Sequence, residues 1–373
     1  NLKELIDTLQ EIIESEGQWQ PLRVQGYRIV PVDFTAYRRS AVEKLKAKAY
    51  VADTNRAVPA VPIGLVASVG MVNGQRVALL KNAVLTNLLT DDGTAHKKQL
   101  YQQVAAVLAE DEMAVLDAGF SLVEAAQSGI GHCLIRLAKN STFGKTAGQI
   151  PERTAAKGPT PTQYRAEIVR PLTRKHGDHT LSATPADEVH TILNKVGREL
   201  TMHVWQEVYF LERHLQAVTD NRQKDKLRKM PLKVIAIYDP DYEDPLLVGT
   251  PVLSLEPQAA HEIYLNRWPI EGVPQTGKYI LPGGGGSHFV HHLTAMQRLP
   301  MLSLIFGSLL KYAAATMPPF RTGFWDRLLR PTYGRLLRHL RKVGIPLSKQ
   351  LFKKESVTTH LPPGYDAIRL ARG

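Results

Sequence analysis

The chain has 373 residues, 43% of them hydrophobic and 22% charged, and a formal net charge of +12. That is enough apolar material for a large core in two or three domains, or in one domain with a long insertion. The single cysteine, Cys133, excludes an internal disulfide and a cysteine-based zinc site and fits a reducing compartment; the basic excess points to a polyanionic partner.

In chain order, residues 2–15 have helical periodicity and form a leader helix. Residues 26–35 (GYRIVPVDFT) read as a strand that ends near Asp33. Two more strands follow at 61–69 and 76–84, joined through Asn73-Gly74, the strongest short hairpin signal. Residues 95–110 form a helix, and the short strand 113–116 delivers Asp117 at its C-terminal end. A helix over 121–128 and a strand over 132–137 complete the series. Three antiparallel strands followed by helix, strand, helix and strand predict an α/β fold with a mixed sheet.

Breakers gather from 140 to 163 and mark a domain boundary. Strands at 165–172, 201–211 and 232–238 then predict a mainly β insertion over 151–250. A helix begins near Gln258, Gly283 to Gly286 form a flexible joint, and two apolar helices at 288–298 and 300–315 close the core. No apolar run is expected to reach the roughly 18 residues needed to span a bilayer. From Arg321 to Lys354 ten Lys or Arg face one acid, with apolar residues recurring as in a helix. There is no secretory pattern, and a start at Asn1 rather than Met suggests a fragment.

The chemistry is concentrated in Tyr264, Arg267, Glu271 and Lys278. At 100° per residue these four share a helix face about 60° wide. One carboxylate, two cations and a phenol suit a phosphate-handling surface; taken alone, the segment fits a solvated face pairing Arg267 with Glu271 equally well. Asp33 and Asp117 are flanked by apolar residues, where a carboxylate is costly unless paired, protonated or metal-bound. Alternatively, Asp33 sits on an edge strand and Asp117 caps a helix or turn. Carboxylates converging from separate elements are what two-ion phosphodiester chemistry requires.

Taken together and in this order, YLNRWPIE at 264–271 with Lys278, VLDAGFS at 115–121 and the strand ending in VDFT closely resemble the DDE transposases of the insertion-sequence-four type. The resemblance runs from about residue 26 to residue 311. It implies a ribonuclease-H-like mixed sheet flanked by helices and interrupted by the β insertion. The implied divisions are a leader at 1–25, core at 26–150 and 251–320, insertion at 151–250 and a basic segment at 321–373. It further implies that Asp33, Asp117 and Glu271 bind catalytic Mg²⁺, with Mn²⁺ as a substitute. Water, then a freed 3′-hydroxyl, would attack phosphodiesters at transposon ends and in target DNA. Arg267 and Lys278 would grip the DNA backbone, and Tyr264 would hydrogen-bond a phosphate. Trp268 would stack on an exposed base or pack beside Ile270. A homodimer on double-stranded DNA, in the cytoplasm and without membrane association, is expected. The residues VPQTG after Glu271 depart from the family's aromatic and basic pattern, and Pro269 interrupts the helix. An inactive transposase-derived DNA-binding protein, or another ribonuclease-H-like nuclease such as a junction resolvase, are the competing readings.

Three further signals weigh less. His288, His291 and His292 have metal-ligand spacing but read as a solvated helix start. Gly283 to Gly286 lack the Lys-Ser/Thr of a nucleotide-binding loop, and no G-x-S-x-G is present. The basic run from Arg222 to Lys229 reads either as a phosphate contact or as a solvated loop.

Overall fold

The computed structural model describes residues 2–39, 42, 44–51, 55–85, 87–91, 94–147, 168–194, 197–279, 292–317 and 332–343. Helix α1 (Leu2–Ser15) precedes the first long strand, β1 (Tyr27–Arg38). Strands β2 (Arg56–Val72) and β3 (Gln75–Leu85) form a long hairpin. Asn73 and Gly74 between them have φ of 46° and 75°. Two left-handed residues in succession match the twist of the flanking strands, which is why Asn-Gly stands there. Helix α2 (Thr94–Val107), strand β4 (Glu112–Leu116), helix α3 (Leu122–Gln127) and strand β5 (Cys133–Arg136) follow.

β1 pairs antiparallel with β2 and β2 with β3, while β1 pairs parallel with β4 and β4 with β5. The spatial order is therefore β3-β2-β1-β4-β5, the ribonuclease-H-like arrangement, and β1 is interior rather than an edge. β1 also runs five residues past Asp33, to Arg38, because β2 keeps pairing with it beyond the end of β4.

Strands β6 (Glu188–Leu193), β7 (Glu199–Val208), β8 (Leu232–Tyr238) and β9 (Leu246–Thr250) make the insertion mainly β. They do not close into a sheet of their own. β9 pairs antiparallel with β5, and β8, β7 and β6 continue outward, giving one sheet of twelve strands among the described residues. A buried β8 explains this: Leu232 to Ile237 are covered on both sides, so the strand needs neighbours at both edges. Helix α4 (Asn221–Arg228), with Asp220 as N-cap, connects β7 to β8.

Helices cover both faces. Leu100 and Val104 of α2, Leu122 and Ala125 of α3 and Leu227 of α4 pack with Val30, Val32 and Ile135 on one side. On the other, Ile6 of α1 packs with Ile29, Leu65 and Val115, together with residues from α5 (Pro257–Leu265), α6 (Gly272–Tyr279) and α7 (Leu293–Thr316). Burying each such aliphatic side chain stabilises the fold by about 1.5–3 kcal/mol. Helix α8 (Tyr333–Val343) ends the described chain and bears out helical character within the basic segment.

Two expectations need correction. The pair of closing helices is one helix, α7, which passes through Pro300. Proline normally breaks a helix at a cost of about 3 kcal/mol. Here Met296, Pro300, Met301, Leu304 and Ile305 are all buried, so packing holds the helix across the missing hydrogen bond. Secondly, α7 is long and apolar enough, by length and composition, to cross a membrane. In the fold it is a core helix: Ser308 Oγ donates to Ala78 O at 3.2 Å and accepts from Leu80 N at 3.1 Å. His288, His291 and Gly283 to Gly286 lie outside the described residues, and His292 stands just before α7.

Candidate active site

β-sheet register brings the first two carboxylates together. Val32 of β1 is level with Leu116 of β4, and Leu116 with Ile135 of β5. The next residue on each chain is Asp33, Asp117 and Arg136. All three emerge in a row where the parallel pairing of β1, β4 and β5 ends, the side on which open α/β sheets meet ligands. Alternation puts Asp33 on the side of Ile29, Asp117 on that of Val115 and Arg136 on that of Leu134, all facing the α5–α7 layer. Behind the row, Phe34 stacks on Phe120 at 5.0 Å, tying the segment after Asp33 to the turn after Asp117.

The third carboxylate comes from the α5–α6 connection. α5 starts with Pro257 at its first turn and ends at Leu265, where the Arg76 guanidinium donates to Leu265 O at 3.1 Å and Asn266 Oδ1 at 3.0 Å. A single helix through the quartet is therefore not what forms. Pro269 cannot donate its backbone nitrogen, so Trp268–Glu271 adopt a tighter 3₁₀ turn before α6 resumes at Gly272. Arg267 and Gly272 keep helix-like dihedrals, and the 264–271 face survives the break.

The centre of the site is Arg267, whose residue is only 3% exposed. Its Nη2 donates to Glu271 Oε1 at 2.8 Å and lies 3.5 Å from Asp117 Oδ2; Nη1 lies 3.9 Å from Asp33 Oδ2. All three expected acids thus converge on one guanidinium. Tyr264, also buried, donates its hydroxyl to Asp117 Oδ1 at 3.0 Å, and Arg136 Nη1 stands 3.5 Å from the same oxygen. The Arg267 Nε is buried without a hydrogen-bond partner. Its Cζ sits 5.8 Å from the Tyr264 ring and 5.4 Å from that of Trp268.

The acids differ in electrostatics. Burial raises the Asp33 carboxyl above its ordinary range, against the Phe34 amide and Arg267; Glu271 and Asp117 push it further up. Burial works upward on Asp117 too. There the Ala118 amide, Arg267, the Tyr264 hydroxyl and Arg136 outweigh it and hold the carboxyl below the usual value. Burial raises the Tyr264 phenol, and Asp117 adds to that, so Tyr264 is a donor, not a base.

The other expected residues lie at the rim. Trp268 is 53% exposed while Ile270 is fully buried, so packing beside Ile270 in the core is excluded. Lys278 is half-buried on α6 with its Nζ 5.3 Å from the Tyr37 ring of β1. Burial and Arg38 lower its pKa, and Asp33 acts the other way. Sequence reasoning missed Arg136, although its place at the end of HCLIRL mirrors that of Asp117. It missed Lys311 as well, whose Nζ donates to Pro269 O at 3.3 Å and whose pKa burial lowers to about 8.

Oxygen-only donors on one side of the sheet suit a hard divalent cation in kind. In spacing they are set by the guanidinium between them, and among the described residues no three acidic, His or Cys side chains are grouped closely enough to hold a metal ion. What the arrangement provides is a cluster of three carboxylates bridged, and only partly balanced in charge, by one buried arginine.

No protein-family model and no curated protein matches the chain. Among solved structures it is similar to the crystal structure of the NurA nuclease from Sulfolobus solfataricus, at 9% identity and a TM-score of 0.29, over 84% of this chain and 95% of that one. Superposition at that level transfers no residue role.

Proposed function

We propose that the protein is a divalent-metal-dependent DNA phosphodiesterase that cuts and rejoins strands, a transposase of the DDE type. The observation that carries this reading is the convergence of Asp33, Asp117 and Glu271, from β1, β4 and the α5–α6 turn, on the Arg267 guanidinium. Further support comes from the β3-β2-β1-β4-β5 order and the +12 charge. The segment resemblance through YLNRWPIE supplies the finer assignment.

In this proposal Asp33 and Asp117, with Glu271, would hold Mg²⁺, or Mn²⁺ in its place, and the ion would supply Lewis-acid polarisation of a phosphodiester and a nucleophile at neutral pH. The chain's own groups do the positioning. Arg267 bridges the three carboxylates in the free protein and offsets part of their mutual repulsion, which lets them sit together before substrate arrives. Tyr264 fixes the orientation of Asp117 through its hydroxyl. Trp268, exposed beside Arg267, is available to stack on a base, and Lys278 to meet the backbone. Action as a homodimer on paired DNA ends belongs to the same proposal.

A strand-transfer assay tests it. A labelled duplex carrying a transposon end is incubated with a supercoiled plasmid and Mg²⁺. Joined products are expected. Nicking without joining would instead indicate a nuclease, and binding without either would indicate a chain that has lost catalysis.

A further inference from the structure

The basic run on α4 divides unexpectedly. Lys224 and Arg228 are engaged by Glu212, at 2.5 and 2.8 Å, and Arg228 is also paired with Asp225. Two of the run's strongest donors are therefore spent inside the protein. Next to Glu212, Arg213 reaches the Thr142 hydroxyl instead. Thr142 precedes Phe143, which is level with Val169 in a short antiparallel pair, so Arg170 follows on the strand opposite Thr142. Arg174 begins the next small hairpin, where it is level with Leu181. The stems of Arg170 and Arg174 are embedded, with each Nε buried and without a hydrogen-bond partner.

Among the described residues no carboxylate pairs with Arg170, Arg174 or Arg213. Glu212, the adjacent acid, is already saturated. His214 adds no further positive charge, since burial and Arg213 lower its imidazole to about 4 and leave it neutral. Arg170 and Arg213 thus meet at Thr142, and burial, then Arg174 and Arg170, lower the Arg213 pKa. Among the described residues the three guanidiniums meet only neutral acceptors, Arg170 Nη1 donating to Ser182 O at 3.2 Å and Arg213 to the Thr142 hydroxyl, and like charges so placed are costly in the free protein. Their forked donors match phosphodiester oxygens, and each such contact relieves the repulsion.

We propose that Arg170, Arg174 and Arg213 form a phosphate-binding patch on the insertion that grips the backbone of duplex DNA away from the reacting bond. The inference rests on the phosphodiester reading of the acidic cluster: a polymeric substrate presents further phosphates beyond the one attacked. The patch contributes affinity and register, not sequence readout.

The test is equilibrium binding of a fluorescein-labelled duplex to the full chain across a salt series. Arg174→Gln/Arg213→Gln is expected to weaken binding about tenfold, equally for unrelated sequences, and to flatten the slope of log K against log salt by about 1–2. Arg213→Lys keeps the charge and should keep the slope, which separates phosphate neutralisation from loss of the Thr142 contact. An unchanged slope in a double variant that melts like wild type would overturn the patch alone. If the double variant misfolds, Arg174→Gln alone decides, with a slope lower by about 1 expected. Competition by inorganic phosphate without any change in the DNA slope would mark a small-anion site and also overturn it. Failure of wild type to bind any duplex would overturn both this patch and the DNA reading of the acidic site.

Discussion

Asp33 and Asp117 stand one strand apart, yet their surroundings shift them in opposite directions, and this gives a prediction free of any assumption about catalysis. The raised Asp33 carboxyl favours its protonated form in the folded state. Its contribution to stability is present below the ordinary aspartate value and is lost as pH rises through the raised one. Asp117 is lowered, so its contribution is present above the ordinary value and is lost as pH falls through the lowered one. In urea titrations at pH 7, Asp33→Asn should therefore be more stable than wild type and Asp117→Asn less stable. The same order for both would contradict the assigned environments. At this scale the sequence was most legible: Asp33 and Asp117 stood out as acids in apolar strands, and Tyr264, Arg267 and Glu271 as an ordered segment that gained weight only when taken together with them and with the resemblance. Arg136 and Lys311 were not, since an arginine ending a strand and a lysine in an apolar helix have ordinary explanations until register and packing are known.

Among the elements, the α6–α7 crossing controls where Glu271 and Lys278 sit. Gly277 and Gly307 face each other there. A Cβ on Gly307 would lie 3.1 Å from Gly277 N and 3.3 Å from Val273 O, and one on Gly277 would lie 3.0 Å from Ser303 O. Backbone meets backbone, so neither helix can yield without moving. Gly307→Val is expected to destabilise the protein by about 1–3 kcal/mol, read as a lower denaturant midpoint. A midpoint equal to that of wild type would show that the crossing is looser than described. Neither the continuity of α7 through Pro300 nor the break at Pro269 could be settled from sequence. Both prolines carry the same local penalty. Pro300 is carried by its buried neighbours Met296, Met301 and Leu304, whereas Arg76 already terminates α5 just ahead of Pro269. The Asn73-Gly74 hairpin was legible because its turn chemistry is local.

For the whole molecule, periodicity gave the strands β1 to β5 and a mixed sheet, and the resemblance implied their ribonuclease-H-like arrangement, whereas the joining of β6–β9 to the same sheet was not legible. Which edge a strand selects depends on the far side of the fold, here on β5 being short and offering Ile135 and Arg136 to β9. The result places the site midway along a continuous sheet, with the insertion on one flank and the β2–β3 hairpin on the other. The account stands on the acids of that site acting with a divalent ion on DNA, and the most direct measurement is cleavage of labelled duplex by wild type and by Asp117→Asn. Wild type should cleave with Mg²⁺ or Mn²⁺ and not in chelator. Asp117→Asn, folded by circular dichroism and still binding DNA, should be slower by about a hundredfold or more. Cleavage by that variant at the wild-type rate, or wild-type cleavage undiminished in chelator, would contradict it.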